Sequence, residues 1–269
     1  MRETDVAVLN ATIPRRDYKP RDDHLQERIK GSTYLDFKGI TDGSTGLYYS
    51  MPGPELFASK MREMNVGKRD LVVVYDKYRN ISAPRVHFML SQVFGMPHVW
   101  LLNGTFDKWK AEGRALETGE SPQAFRRQGA KTEDDFNFEY NKSKLLSFED
   151  MQALVQDKQA GQGRPPILDG RLASFFEKAH LPTSKSVPFN TLMDKDYNFL
   201  PADQLLKIFQ AAGVADPEKD EVYFSCQRGI TACIVEFALR TLGNENTRLY
   251  DGSLEEWAKR TGMVLPKDH

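Results

Sequence analysis

Val222-Tyr223-Phe224-Ser225-Cys226-Gln227-Arg228-Gly229-Ile230-Thr231-Ala232-Cys233 is the stretch whose reading decides the fold. Val222 to Ser225 is a short apolar run of β-branched and aromatic residues, the pattern of a strand buried on both faces. A glycine-bearing turn follows. From Thr231 to Leu242 the spacing predicts a helix, which stops at Gly243, a normal residue just past a helix end. Strand, tight turn and helix in that order predict an α/β fold with a largely parallel sheet.

The same order occurs upstream. Leu71-Val72-Val73-Val74-Tyr75-Asp76 is again a buried strand, followed by a loop, a predicted helix from Ser82 to Phe94, and Gly95. Each copy then carries a short pattern of Asn or Asp, Gly, Thr or Ser, an apolar residue and, three positions on, Trp. These are Asn103-Gly104-Thr105-Phe106 with Trp109, and Asp251-Gly252-Ser253-Leu254 with Trp257. Asp76 and Cys226 are 150 positions apart, Trp109 and Trp257 148 apart. A period of that length means two copies of one domain rather than a solenoid.

The earlier parts correspond as well. Val6–Asn10 and Pro166–Asp169 read as first strands. Pro52-Gly53-Pro54 precedes a predicted helix from Glu55 to Met64, and Pro201 precedes one from Asp203 to Ala212. Glu117 to Lys144 is polar and charged and reads as a surface linker. Ser147 and Asp150 form a capping-box start to a helix through Lys158. The expected division is a first domain over 1–116, a linker over 117–144 and a second domain over 145–269.

Composition narrows the function classes. The 269 residues are 40% hydrophobic and 28% charged, with a formal net charge of -1. That balance fits a soluble globular protein and points to neither nucleic acid nor an anionic membrane as partner. No apolar run approaches the ~20 residues of a membrane-spanning helix. Met1-Arg2-Glu3-Thr4-Asp5 lacks the apolar core of a signal peptide. Two cysteines make no disulfide framework, so a reducing compartment, mitochondrial or cytoplasmic, is expected, with a free thiol available for chemistry. No histidine cluster suggests a metal, and no cofactor is expected.

The loop after Ser225 carries the chemistry. Backbone N–H groups of such a turn point toward its centre, and the helix N-terminus adds partial positive charge. An anion there is stabilised, so the thiolate, the nucleophilic form of cysteine, is favoured at Cys226. Gly229 allows the tight turn, Arg228 adds a full positive charge, and Thr231 has a hydroxyl to donate. Left to itself, a cysteine at a strand end reads as a small buried apolar residue. Cys233, on the helix face of Ile230 and Phe237, keeps that reading. A phosphatase loop would place Arg where Ala232 stands, which argues against phosphate-ester hydrolysis.

Cys226-Gln227-Arg228-Gly229-Ile230-Thr231-Ala232-Cys233, with Tyr250-Asp251-Gly252-Ser253 and Trp257, resembles the C-terminal active-site region of two-domain rhodaneses, the thiosulfate and 3-mercaptopyruvate sulfurtransferases. Ser82-Ala83-Pro84-Arg85-Val86 and Met51-Pro52-Gly53 are similar to segments of that family's N-terminal domain. The resemblance implies two tandem rhodanese domains, each a five-stranded mostly parallel sheet flanked by helices, with the active site where the two meet. It implies that Cys226 takes sulfur from a small anionic donor as a persulfide and yields it to a thiol or to cyanide. The N–H groups of Gln227, Arg228, Gly229, Ile230, Thr231 and Ala232 would cradle the sulfur. Asp76, at the place of the cysteine, makes the first copy non-catalytic.

Within the family, basic residues between Cys and Gly go with thiosulfate, so Arg228 favours that dianion as donor. Arg171 matches the first of two substrate-binding arginines. The second falls on Phe175, and the acid/base positions of mercaptopyruvate enzymes fall on Lys38 and Tyr49. These departures keep a second expectation open: a weakly active or inactive accessory subunit of a larger complex. Trp109 and Trp257 read as core anchors, Asp251-Gly252 as a turn, His180 as a surface or packing residue, and Asp169 as either a turn residue or the partner that orients Arg171.

Overall fold

The computed structural model describes residues 6–120 and 131–266. The chain divides into two units: Met1–Asp42 with Met51–Asn141, and Gly43–Ser50 with Lys142–His269. Eight residues expected in the first copy, Gly43–Ser50, thus group with the second unit.

The first unit runs β1 (Val6–Asn10), α1 (Pro20–Gln26), β2 (Arg28–Ile29), β3 (Thr33–Tyr34), α2 (Pro54–Glu63), β4 (Leu71–Tyr75), α3 (Ala83–Phe88), β5 (Val99–Leu101), α4 (Phe106–Ala111) and β6 (Leu116–Glu117). Four of these strands make a parallel sheet in the order β3-β1-β4-β5. β2 and β6 form a separate antiparallel pair. β1 and β4 run side by side from Val6 beside Leu71 to Asn10 beside Tyr75. Ala7, Leu9, Val72 and Val74 of these strands are buried, as central β-branched and aliphatic strands require. The helix expected from Ser82 to Phe94 is α-helical only to Phe88 and continues as a π turn over Met89–Val93.

The second unit runs β7 (Leu145–Leu146), α5 (Phe148–Gln159), β8 (Ile167–Asp169), α6 (Ala173–Lys178), β9 (Lys185–Ser186), α7 (Ala202–Ala211), β10 (Val222–Ser225), α8 (Ala232–Arg240), β11 (Thr247–Tyr250) and α9 (Ser253–Thr261). Its five strands are all parallel, in the order β7-β11-β10-β8-β9. The capping box at Ser147 and Asp150 is present, with Ser147 Oγ accepting from the Asp150 N–H at 3.1 Å. Phe148, Tyr250 and Trp257 pack into one core with Met151, Leu154 and Leu254.

Five strands were expected in each domain, and the first sheet has four among the described residues. In the second unit the fifth strand, β7, precedes α5 and the first central strand β8. Of the expected linker, residues 121–130 lie outside the described residues. Glu117 pairs in β6, the residues from 131 to Asn141 group with the first unit, and Lys142 to Lys144 with the second. Among the described residues no helix is long and apolar enough to cross a membrane.

Candidate active site

Cys226 follows directly on β10, which lies between β11 and β8. The carboxyl end of a central parallel strand is where α/β folds place their chemistry. Cys226 is 2% exposed. Its loop is latched to the start of α9. The Cys226 N–H donates to Ser253 Oγ at 3.2 Å, and that hydroxyl donates to the Tyr250 carbonyl at 2.9 Å. Leu254 N–H donates to the Cys226 carbonyl at 3.1 Å and Glu255 N–H to the Gln227 carbonyl at 3.0 Å.

Two glycines are dictated by geometry. Gly229 turns the chain at φ +74°, a conformation that side chains disfavour. Gly170 lies under the loop, where a Cβ would come within 2.5 Å of the Thr231 carbonyl oxygen. Cys233 sits in the first turn of α8, fully buried, with its Sγ 3.3 Å from the Gly229 carbonyl. It braces the turn, in keeping with its reading as a core residue.

The first unit makes the same turn and shows what such a turn binds. Asp76 follows β4 as Cys226 follows β10, and it is fully buried. Its Oδ1 accepts from the N–H groups of Tyr78 at 2.7 Å and Asn80 at 3.1 Å. Its Oδ2 accepts from the N–H groups of Ser82 and Ala83, both at 2.8 Å, and from Ser82 Oγ at 3.3 Å. Four converging N–H donors hold one carboxylate. Burial pushes the Asp76 carboxyl up, and the donors from Ala83, Ser82 and Tyr78 pull against it. In the second unit, among the described residues, the N–H groups of Gln227, Ile230, Thr231 and Ala232 donate to no protein acceptor.

Arg171 is where the sequence placed it, on the turn after β8. Its side chain is 8% exposed. Asp169 holds it: Nε donates to Oδ1 at 2.9 Å and Nη2 to Oδ2 at 2.7 Å. Nη2 also donates to the Ala179 carbonyl at 2.7 Å, and Nη1 to Gln227 Oε1 at 3.3 Å. Asp169 is therefore the partner that orients Arg171, and Gln227 ties it to the Cys226 loop. Arg228 is half-buried. Its Nε is 3.7 Å from Glu255 Oε2 and its guanidinium carbon lies 4.4 Å over the Tyr48 ring.

The remaining expected positions sort themselves by unit. Phe175, at the place of the second arginine, is 42% exposed on α6, with Lys178 Nζ 5.7 Å from its ring centre. Tyr49 belongs to the second unit, where burial pushes its phenol up and the Arg228 charge opposes that. Lys38 is exposed in the first unit, its N–H donating to Asp36 Oδ1 at 3.2 Å. His180 stacks on Phe176 at 4.1 Å, a packing residue. Trp257 is in the core, and Trp109 packs half-buried beside Tyr75 and Phe106.

Sequence reasoning missed three residues. Ser253 was read only as part of the repeated Gly-Ser pattern, although a hydroxyl one residue after that Gly in both copies was a usable signal. Glu255 and Tyr48 carried no local signal, because what places them is contact across the fold.

A duplicated parallel α/β fold, with a buried cysteine at the end of a central strand where a glycine turn begins, defines the class of fold. A rhodanese-like domain model matches residues 15–112 and again 148–260. The chain belongs to the rhodanese family of sulfurtransferases. Thiosulfate/3-mercaptopyruvate sulfurtransferase 2 of Arabidopsis thaliana is 30% identical to it, covering 98% of this chain and 82% of that protein. The 3-mercaptopyruvate sulfurtransferase of Escherichia coli K12 is 29% identical over 98% of this chain and 92% of its own. Among solved structures, Escherichia coli SseA, a 3-mercaptopyruvate sulfurtransferase, superposes with a TM-score of 0.79 at 28% identity, covering 93% of each chain. Tum1 of Saccharomyces cerevisiae gives a TM-score of 0.83 at 25% identity, covering 100% of this chain and 94% of that one.

Proposed function

We propose that this chain moves sulfane sulfur from a small anionic donor to a thiol or to cyanide through a persulfide on Cys226. The Asp76 loop is the observation that carries the reading. There the same turn holds a carboxylate with four N–H groups. At Cys226 the N–H groups of Ile230 and Ala232, at the places of Asn80 and Ser82, have no protein acceptor among the described residues, which supports a turn fitted to hold a sulfur anion.

The chemistry balances without a redox partner. The Cys226 thiolate attacks the outer sulfur of thiosulfate; the sulfur–sulfur bond breaks and its electron pair leaves with sulfite. With 3-mercaptopyruvate the carbon–sulfur bond breaks instead, and the thiol proton ends on the departing carbon to give pyruvate. Either way the product is Cys226 persulfide anion, bound by the turn. Attack on its outer sulfur by cyanide or a thiolate returns the Cys226 thiolate.

Relatives named for each donor support both donors here, and a preference for thiosulfate finds no support in them. That preference rested on the charge of Arg228, which lies against Tyr48 and Glu255. Arg171, fixed by Asp169 with Nη1 beside the loop, is the proposed contact for the donor's anionic group. For location the reading keeps mitochondrion or cytoplasm; one Arabidopsis thaliana relative is named mitochondrial.

Mass spectrometry after incubation with either donor tests this. A gain of about 32 Da, one sulfur atom, is expected on the Cys226 peptide, lost in Cys226→Ser and reversed by cyanide. Absence of both the mass gain and turnover with both donors would sink the reading and leave an accessory-subunit role.

A further inference from the structure

The rim of the Cys226 loop carries a carboxylate that the loop motif does not call for. Glu255 stands in the first turn of α9 with its backbone N–H on the Gln227 carbonyl at 3.0 Å. Its side chain is 15% exposed. An acidic residue in a first turn is explained by the helix dipole alone, but Glu255 does more than that. Its carboxylate is 3.7 Å from Arg228 Nε, accepts from Lys259 Nζ at 2.9 Å, and accepts the Tyr48 N–H at 3.3 Å. Tyr48 returns its ring to Arg228, and Lys259 Nζ also reaches the Gly46 carbonyl at 2.9 Å. One carboxylate thus gathers the loop's only exposed-side cation, a helix lysine and the Gly43–Ser50 segment.

We infer that Glu255 sets donor preference at the Cys226 loop: it holds Arg228 against Tyr48 and offsets its charge, favouring a monoanionic mercapto acid over dianionic thiosulfate. The inference rests on the persulfide function proposed above. Glu255 touches no reacting atom in this scheme; it is a positioning residue that acts through Arg228. Its physical basis is the charge difference of the donors. A fixed negative charge a few ångströms from the site opposes a dianion with twice the energy it sets against a monoanion. With a permittivity between protein surface and water, one extra unit of donor charge at side-chain range is worth on the order of tenfold in relative kcat/KM. The cation–aromatic stack adds to this by keeping the guanidinium over Tyr48 rather than over the sulfur.

The test is the ratio of kcat/KM for thiosulfate to kcat/KM for 3-mercaptopyruvate, measured on the full chain. Glu255→Gln is expected to raise it about tenfold, with the gain shrinking at high salt. Glu255→Asp keeps the charge and is expected to hold the ratio within about twofold. Lys259→Gln removes a positive charge from the same cluster and is expected to lower the ratio about threefold. Opposite movement in the Glu255→Gln and Lys259→Gln proteins is a result that loosened packing does not produce. The inference is overturned if both variants move the ratio in the same direction, or if Glu255→Gln leaves it unchanged while Cys226 still gains sulfur from both donors. If wild-type Cys226 gains sulfur from neither donor, the persulfide reading itself fails, and this inference with it.

Discussion

At the end of a central strand in each sheet the chain makes a tight turn before a helix, and the two turns differ at their root and in their backbone. In the first unit the root is Asp76, and four N–H groups close on its carboxylate. In the second the root is Cys226, and the N–H groups at the matching places of Ile230 and Ala232 have no protein acceptor among the described residues. One loop carries its own anion and is finished as a structure. The other has a thiol at its root, and the proposed function gives it an anion to hold. The difference also shows in how each turn is formed. Arg79 and Asn80 take positive φ values of 59° and 55° in the first loop, where Gly229 at 74° serves in the second. A loop clamped on a carboxylate tolerates that local cost of non-glycine residues, and the Cys226 loop, with no such clamp, uses the residue without it.

Exchanging the root residues gives the largest expected effect. Cys226→Asp should make the second loop a copy of the first: turnover falls by at least about a thousandfold, since no nucleophile remains, while the fold is kept. Hydrogen exchange of the Ile230 and Ala232 amides should slow in that variant. Faster exchange there would break the comparison.

Asp76→Ala should harm stability instead. Removing the acceptor leaves several buried N–H groups unpaired, at about 3 kcal/mol after partial rehydration, read as a lower urea midpoint of the first unit. A loss under about 1 kcal/mol would mean the carboxylate is dispensable.

The units should also answer pH in opposite senses. Burial on α8 raises Glu236 from 4.5 to about 7, with Arg240 and the Thr247 hydroxyl pulling it down. The folded chain holds that proton more tightly than the unfolded one. Its contribution is therefore present below pH 4.5 and lost as pH rises to about 7, by up to about 3 kcal/mol. His24 in the first unit goes the other way: burial, then Arg28 and Lys77, lower it from 6.5 to about 4. Its contribution is present above 6.5 and lost as pH falls toward about 4. Hydrogen exchange of the full chain at pH 5 and pH 7.5 should show acid loosening the packing around His24 and tightening that around Glu236. Glu236→Gln should remove the second trend and leave the first.

The smallest effect is expected at Ser253→Ala. It deletes the acceptor of the Cys226 N–H and the donor to Tyr250, for about 1 kcal/mol in stability and a several-fold loss of kcat/KM as the loop root loosens. An unchanged kcat/KM would mean that the backbone latch at Leu254 and Glu255, with Cys233 and Arg171, supports the loop without Ser253.

Much of this was legible without coordinates. The strands at Val6–Asn10, Leu71–Tyr75 and Val222–Ser225 coincide with their apolar runs, and the helix from Phe148 begins at its capping box. Apolar period, caps and glycine stops are local, so sequence spacing reports them. Less legible was the end of α3, where an α-helical pattern passes into a π turn over Met89–Val93 for reasons that lie in packing. The fifth strand of the first sheet was expected from the family resemblance, and no local pattern spoke for it.

The sequence alone determined the duplication, the parallel α/β class, Cys226 as root of the turn and Asp76 as its non-nucleophilic counterpart. Each of these is written in neighbouring residues. Tertiary structure alone decided how charge is arranged around the turn: Asp169 and Gln227 on Arg171, Tyr48 and Glu255 on Arg228, and the assignment of Gly43–Ser50 to the second unit. Glu255 and Tyr48 are 207 positions apart. An electrostatic environment is a sum over side chains gathered by folding, and spacing along the chain does not encode it.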